Sequence, residues 1–184
     1  MPLTLGVIAD THVPDRAKVI PPAALEVFRA HKADAILHAG DVSTPVILRE
    51  LQTIAPVHAV RGNTDLLMIR RLPRVRRLEF EGVMIGMSHG HGTMLNYIPH
   101  RFIYIFKGPK KFSFYHDLAA RDVPDCKVVV CGHSHAPANY WRDDQLIFNP
   151  GSPCFPNETV PGLPPSVGLL HIDQGNVRGE IVFI

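Results

Sequence analysis

Short apolar runs recur along this chain, and most of them stop at a polar residue. Leu3-Thr-Leu-Gly-Val-Ile-Ala9 is the first, and Asp10 ends it, so it reads as a buried strand. Residues 22–31 place Ala24, Leu25 and Phe28 at helical spacing, with Pro22 suited to a first turn. Ala35–His38 is a second strand, closing on Gly40-Asp41. Pro45–Ile54 is a second helix with Thr44 as its N-cap. Val57–Val60 is a third strand, closing on Gly62-Asn63. This alternation predicts parallel strands joined by crossover helices.

Beyond residue 70 the pattern changes. Residues 74–80 and 83–88 straddle Glu81-Gly82 and predict a hairpin. Val128–Cys131 is another buried strand. Tyr140-Trp141 and Leu146–Phe148 flank Asp143-Asp144 as a second hairpin. Residues 166–173 and 176–183 turn at Gln174-Gly175 as a third. A mixed sheet, or two stacked sheets, flanked by helices follows. Six prolines between 150 and 165 predict an ordered, irregular surface loop.

The polar residues at the ends of these runs carry the chemistry. Asp10 and His12 follow the first strand, Asp41 the second and Asn63 the third. His89 follows 83–88, and His133 and His135 follow 128–131. Ligands of open α/β sheets bind beyond the C-terminal strand ends, so a sheet gathers these residues into one crevice. Carboxylate, imidazole and amide oxygen together suit divalent Mn, Fe, Co, Ni or Zn. Residues two apart on an extended segment share a side, so Asp10 with His12, and His133 with His135, each grip one ion. Seven ligands exceed one tetrahedral site and suit two ions with a bridging carboxylate. Such a pair, about 3.5–4 Å apart, activates water for in-line displacement at phosphorus.

Composition adds bounds. The chain has 184 residues, 46% hydrophobic and 20% charged, a globular balance. No stretch has the length of a membrane span, and no leader is expected, because the first ten residues lack a basic run. A net charge of +2 is too small to imply nucleic-acid binding by charge alone. Three cysteines without a Cys-x-x-Cys pair argue against a disulfide framework or zinc ribbon, and for a cytoplasmic protein. The chain holds 11 His, and His38 and His58 fall within predicted strands as packed structural residues.

Asp10-Thr-His12, Gly40-Asp41, Gly62-Asn63-Thr64-Asp65, His89-Gly90-His91 and Gly132-His133-Ser134-His135 resemble the signature of the calcineurin-like metallophosphoesterases. Asn149-Pro150-Gly151-Ser152 resembles a turn of their small bacterial and archaeal phosphodiesterase branch. The resemblance runs from residue 3 to about 183. It implies an α/β fold, a two-sheet β-sandwich flanked by helices in four layers, over one domain spanning 1–184. It implies two divalent metal ions, manganese expected and Fe, Ni, Co or Zn as alternatives. Asp10, His12 and His135 would hold the first metal, Asn63, His89 and His133 the second, with Asp41 bridging. A hydroxide between the ions would then attack a phosphodiester or other small phosphorylated substrate, with Asp41 and Asn63 catalytic.

There are two departures. Many members have His after the Asn; here it is Thr64, a poor acid, so alkoxide leaving groups should react slowly and His91 stands as the substitute catalytic residue. Asp65, which would ordinarily orient the missing His, is expected to bond the local turn. The second departure is an insertion at about 95–115, rich in Phe and Tyr with four Lys and Arg residues. It reads as a packed helix-loop, a substrate lid or a homo-oligomer interface. Arg70, Arg71, Arg74, Arg76 and Arg77 read as a solvated edge, with an anion patch as the alternative. The competing functions are a nuclease or nucleotide phosphatase, and an interaction scaffold like the family's retromer subunit, which lacks part of the ligand set.

Overall fold

The structure is a computed structural model that describes residues 2–66, 71–92 and 112–184. Sheet one takes β1 (Leu3–Ile8), β2 (Ala35–His38), β3 (Val57–Ala59), β9 (Ser166–Asp173) and β10 (Asn176–Phe183), in the order β10-β9-β1-β2-β3. Sheet two takes β4 (Val75–Phe80), β5 (Val83–Ser88), β6 (Val128–Val130), β7 (Ala138–Arg142) and β8 (Gln145–Asn149), in the order β4-β5-β6-β8-β7. The central pairs β1·β2·β3 and β5·β6·β8 are parallel, and the three hairpins are antiparallel. Each sheet is therefore mixed: sheet one has the β9–β10 hairpin at one edge and the parallel strand β3 at the other, and sheet two has a hairpin strand at each edge.

The sequence alternation decides which side chain enters which layer. In β1, Leu5 and Val7 face the space between the sheets with Leu37, Ile85, Met87, Val128, Val130 and Phe148. Residues of the opposite parity, Ile8 and Ile36, face outward under α1 (Pro22–Ala30) and α2 (Pro45–Gln52), against Leu25, Phe28, Ile47 and Leu51. On sheet two, Val129 and Ile147 face outward against Ala119, Ala120 and Val123 at α3 (Ser113–Asp122). Strands buried on both faces read as unbroken apolar runs rather than alternation, which matches their sequences. Helix, sheet, sheet, helix is the four-layer order. At about 25 cal/mol per Å² of apolar surface, burial of these four-layer contacts is the main stabilising force.

The helix ends follow their sequence signals. Thr44 accepts the Val46 N–H, and Pro45 occupies the first turn, where a missing N–H costs nothing. Helix α3 was not legible: Ser113–Asp122 has a weakly amphipathic pattern and contains His116, which is buried. Of the insertion expected at about 95–115, residues 95–111 lie outside the described residues, as does Arg70. Most of the arginine cluster is committed to the body. Arg74 makes a bidentate pair with Asp122 at 2.7 and 2.8 Å, Arg77 pairs with Asp125, and Arg76 contacts His58. Those pairings support the solvated-edge reading over the anion patch.

Candidate metal centre

All seven predicted ligand positions lie beyond C-terminal strand ends, and six of them, all but Asn63, bring donor atoms together in two groups. The parallel order β3-β2-β1 brings Asn63, Asp41 and Asp10 together, and β5-β6 brings His89 and His133 to face them. Two groups of donor atoms result: Asp10 with His12 and His135, and Asp41 with His89 and His133, each within 4.8 Å. Asp41 Oδ2 lies 3.4 Å from His12 Nε2 and 3.4 Å from His89 Nε2, so one oxygen faces both groups. Asp10 Oδ1 is 3.4 Å from His135 Nε2 and 3.8 Å from His89 Nε2.

The expectation of an extended backbone at these positions does not hold. Asp10 and His12 have φ of 53° and 47°, Asp41 has 55°, and His133 and His135 have 67° and 54°. An extended chain would carry the ligands past the crevice. The left-handed turns fold each ligand pair back over the strand ends, at a cost of order 1–3 kcal/mol per strained residue. Tertiary hydrogen bonds hold them there: His12 N–H donates to the Asp41 carbonyl at 3.1 Å, and His133 N–H donates to the Asp10 carboxylate at 3.0 Å.

Two glycines make the approach possible. A Cβ on Gly62 would lie 2.1 Å from Asp41 Oδ1, and one on Gly132 would lie 2.9 Å from Asp10 Oδ2. Both sites exclude any larger residue beside a ligand carboxylate.

The residues fit a pair of divalent cations. His89 donates from Nδ1 to the Ala39 carbonyl at 2.8 Å, and His135 donates from Nδ1 to the Phe155 carbonyl at 2.6 Å. Those bonds fix the tautomer and turn the Nε2 lone pairs inward, as in histidine–metal sites generally. His89 Nε2 and Asn63 Oδ1 are buried without a hydrogen-bond partner, which leaves both free as ligand atoms. His12 Nε2 and His135 Nε2 are 3.2 Å apart, a separation that two nitrogens adopt on one ion with bonds of about 2.0–2.1 Å.

The electrostatics point the same way. Burial drives the Asp10 carboxyl up to about 6, against the pull of His135 and His89. Burial also pushes on Asp41, but the charge of His89, the Thr64 N–H and the charge of His12 hold it well below the usual carboxylate range. Burial would lower His89, yet Asp41 and Asp10 raise it to about 9. His12 falls to about 4 and His133 well below its ordinary value, both mainly through burial. Two buried carboxylates thus demand positive charge between them, and the neutral imidazoles of His12 and His133 stand ready as ligands.

Several supporting residues do more than their sequence positions suggest. Asp65 bonds the local turn as expected, accepting Gly62 N–H at 2.7 Å, but it also accepts the N–H groups of Asp41 and Ser43 at 2.9 and 2.8 Å. It therefore ties the β3 loop to the β2 loop. Asn149 donates to the Gly132 carbonyl, and Ser152 donates to the Asp10 carbonyl at 2.7 Å. Buried His38 accepts Gly40 N–H and meets Thr11 Oγ1 at 3.2 Å, which locks the first two ligand loops. A His at the end of a strand carried no signal for that second role. His91 lies outside both donor groups, its ring 5.4 Å from that of His89. Cys154 is half-buried, its Sγ against the Val19 carbonyl, and burial pushes its thiol up to about 11.

The calcineurin-like phosphoesterase superfamily domain model matches residues 3–175. A probable metallophosphoesterase of Methanothermobacter thermautotrophicus is 36% identical over 98% of this chain and 92% of that relative. A phosphodiesterase of Methanocaldococcus jannaschii is 23% identical, covering 98% of this chain and 99% of its own. Among solved structures, Entamoeba histolytica Vps29 complexed with zinc superposes with a TM-score of 0.72 at 24% identity, covering 98% of this chain and 99% of that one. That last likeness bears on the fold. The chain belongs to the calcineurin-like phosphoesterase superfamily, and its activity class is that of a metal-dependent phosphoester hydrolase.

Proposed function

We propose that this protein is a phosphodiesterase working with two divalent ions, manganese first among Mn, Fe, Co, Ni and Zn. In this reading Asp10, His12 and His135 hold one ion, Asn63, His89 and His133 hold the other, and Asp41 lies between. The observation that carries it is the equal 3.4 Å approach of Asp41 Oδ2 to one histidine of each group. When bound, such a pair supplies Lewis-acid charge and an activated water for in-line displacement.

The chain's own residues do the rest. The Thr64 N–H donates to Asp41 Oδ1 at 2.9 Å and leaves Oδ2 directed at both groups. Burial keeps His91 neutral near pH 7, its pKa lowered to about 4. It acts on the leaving oxygen as a hydrogen-bond donor rather than a strong acid. With Thr64 unable to protonate, aryl esters are the good substrates and alkyl esters the slow ones. Three free thiols suit a reducing cytoplasm. No helix among the described residues is long and apolar enough to cross a membrane.

The test is hydrolysis of bis-p-nitrophenyl phosphate with manganese. Asp41→Asn should lower kcat/KM by about 10³-fold or more. Equal activity in the variant, or no activity with any of the five metals, overturns the reading. The scaffold reading has one point in its favour, the fold shared with Vps29. Seven competent ligand positions weigh against it.

A further inference from the structure

We propose that Arg16 and the cleft it guards form a subsite for a second anionic group, a phosphate or carboxylate, carried by the substrate. This rests on the phosphoesterase reading of the metal centre. The cleft measures about 220 Å³, and its lining includes Arg16, His133, His135, Phe155, Glu158 and Thr159. Two of those residues are proposed ligands, one to each ion, so the cleft opens directly beside the reacting centre.

The position of Arg16 is built rather than incidental. Its N–H donates to the His12 carbonyl at 2.8 Å, which ties it to a ligand loop. Its guanidinium lies 4.9 Å from the Phe155 ring centre. Phe155 is itself anchored, because its carbonyl accepts from His135 and its N–H donates to Ser152 Oγ at 2.9 Å. An arginine braced by an aromatic ring keeps its N–H edge available, and that edge matches the oxygens of a phosphate or carboxylate.

Among the described residues, Arg16 forms no ion pair and no side-chain hydrogen bond, and it is exposed. Glu158 shares the cleft but forms no ion pair with Arg16. This contrasts with Arg74, Arg77 and Arg142, each of which is paired with an aspartate. Asn157 does not compete for the anion either, since its Nδ2 donates to the Ser134 carbonyl and its Oδ1 accepts from Thr159. Among the described residues, Arg16 is therefore an unpaired cation at the mouth of a site whose substrates are anions.

Calorimetric binding to the manganese-loaded protein tests this with three probes of matched length. They are propylphosphonate, 1,3-propanediphosphonate and 4-phosphonobutanoate, all on a three-carbon linker. The two probes with a second anion should bind about tenfold tighter than propylphosphonate. Which of them gains more identifies phosphate or carboxylate as the preferred partner. In Arg16→Ala the gain should vanish while propylphosphonate binds as before, and Arg16→Lys should retain part of it. Equal Kd values for all three probes in the unaltered protein, or a gain that survives Arg16→Ala, overturns the subsite. Failure of propylphosphonate itself to bind overturns the phosphoesterase reading, and the subsite with it.

Discussion

The two ends of the sandwich use the same backbone conformation for opposite purposes. At one end, the β4–β5 and β9–β10 hairpins turn at Glu81-Gly82 and Gln174-Gly175, with φ of 47° and 77°, and 48° and 79°. These are pairs of left-handed residues, the tight turn that suits the twist of antiparallel strands. Their side chains are exposed or half-buried, and a Cβ on Gly82 would meet nothing within 4 Å. At the other end, Asp10, His12, Asp41, His133 and His135 adopt positive φ inside a crowded crevice. A turn at the first end is set by its own two residues. A ligand loop at the second is held by bonds from distant elements, such as Ser152 to Asp10 and Asp65 to Asp41. Strain is cheap where the chain must only reverse, and is imposed by the fold where it aims a ligand.

Substituting one glycine at each end is the sharpest way to break this comparison. Gly62→Ala forces a methyl against Asp41 Oδ1 and its backbone nitrogen. Phosphodiesterase activity should fall by about 10²-fold or more, with a loss of about 2–4 kcal/mol in urea titration. Gly82→Ala should cost about 1 kcal/mol from its positive φ alone and leave kcat/KM unchanged. If both variants retain activity, the site is more compliant than its contacts imply.

Metal binding should act on one end only. Saturating manganese at about 100 times Kd should stabilise the protein by about 3 kcal/mol, and a chelator should reverse it. Hydrogen exchange should slow at residues 10–12, 41–43 and 133–135 and stay unchanged at the two hairpins. Uniform slowing would mean that the ends are not independent.

A smaller effect comes from His116, buried in α3 away from the ligands, with Nδ1 3.1 Å from Tyr140 Oη. Burial lowers its pKa to about 4. The unfolded chain therefore takes up a proton that the folded chain refuses. The resulting stability is present above about 6.5 and is lost as pH falls towards about 4. Between pH of about 7.5 and about 5, the unaltered protein should lose about 2 kcal/mol relative to His116→Gln. Parallel stability curves would refute that assignment.

The smallest change lies in the hairpins. Glu81→Asn and Gln174→Asn create Asn-Gly turns, and each should raise stability by about 0.5 kcal/mol without touching activity. Any loss of activity would tie the far end to the site.

Much of this arrangement was legible because strand ends are local features. The runs at 3–9, 35–38, 57–60, 83–88 and 128–131 stop where a strand stops, and the polar residue that follows is visible at once. Asp10, Asp41, Asn63 and His89 needed no more than that. Helix α3 is not legible in the sequence, because a buried His and a weak apolar stripe obscure its pattern. His38 looked like packing and proved also to be a brace, since its partner Thr11 lies 27 positions away. Asn149 and Ser152 belonged to a recognisable turn, but nothing nearby in sequence says that Ser152 grips the Asp10 carbonyl across 142 positions.

The sequence by itself determined the layer assignment and the inventory of candidate ligands. Side-chain parity in a strand and residue chemistry at its end are both properties of a few neighbouring residues. Only the tertiary structure decided that Asp41 faces two histidine groups at once, that Asp10 and Asp41 shift in opposite directions, and that Arg16 stands unpaired among the described residues. Those depend on which strands lie side by side and on the burial that their packing creates. Local composition does not encode a distance between residues more than a hundred positions apart.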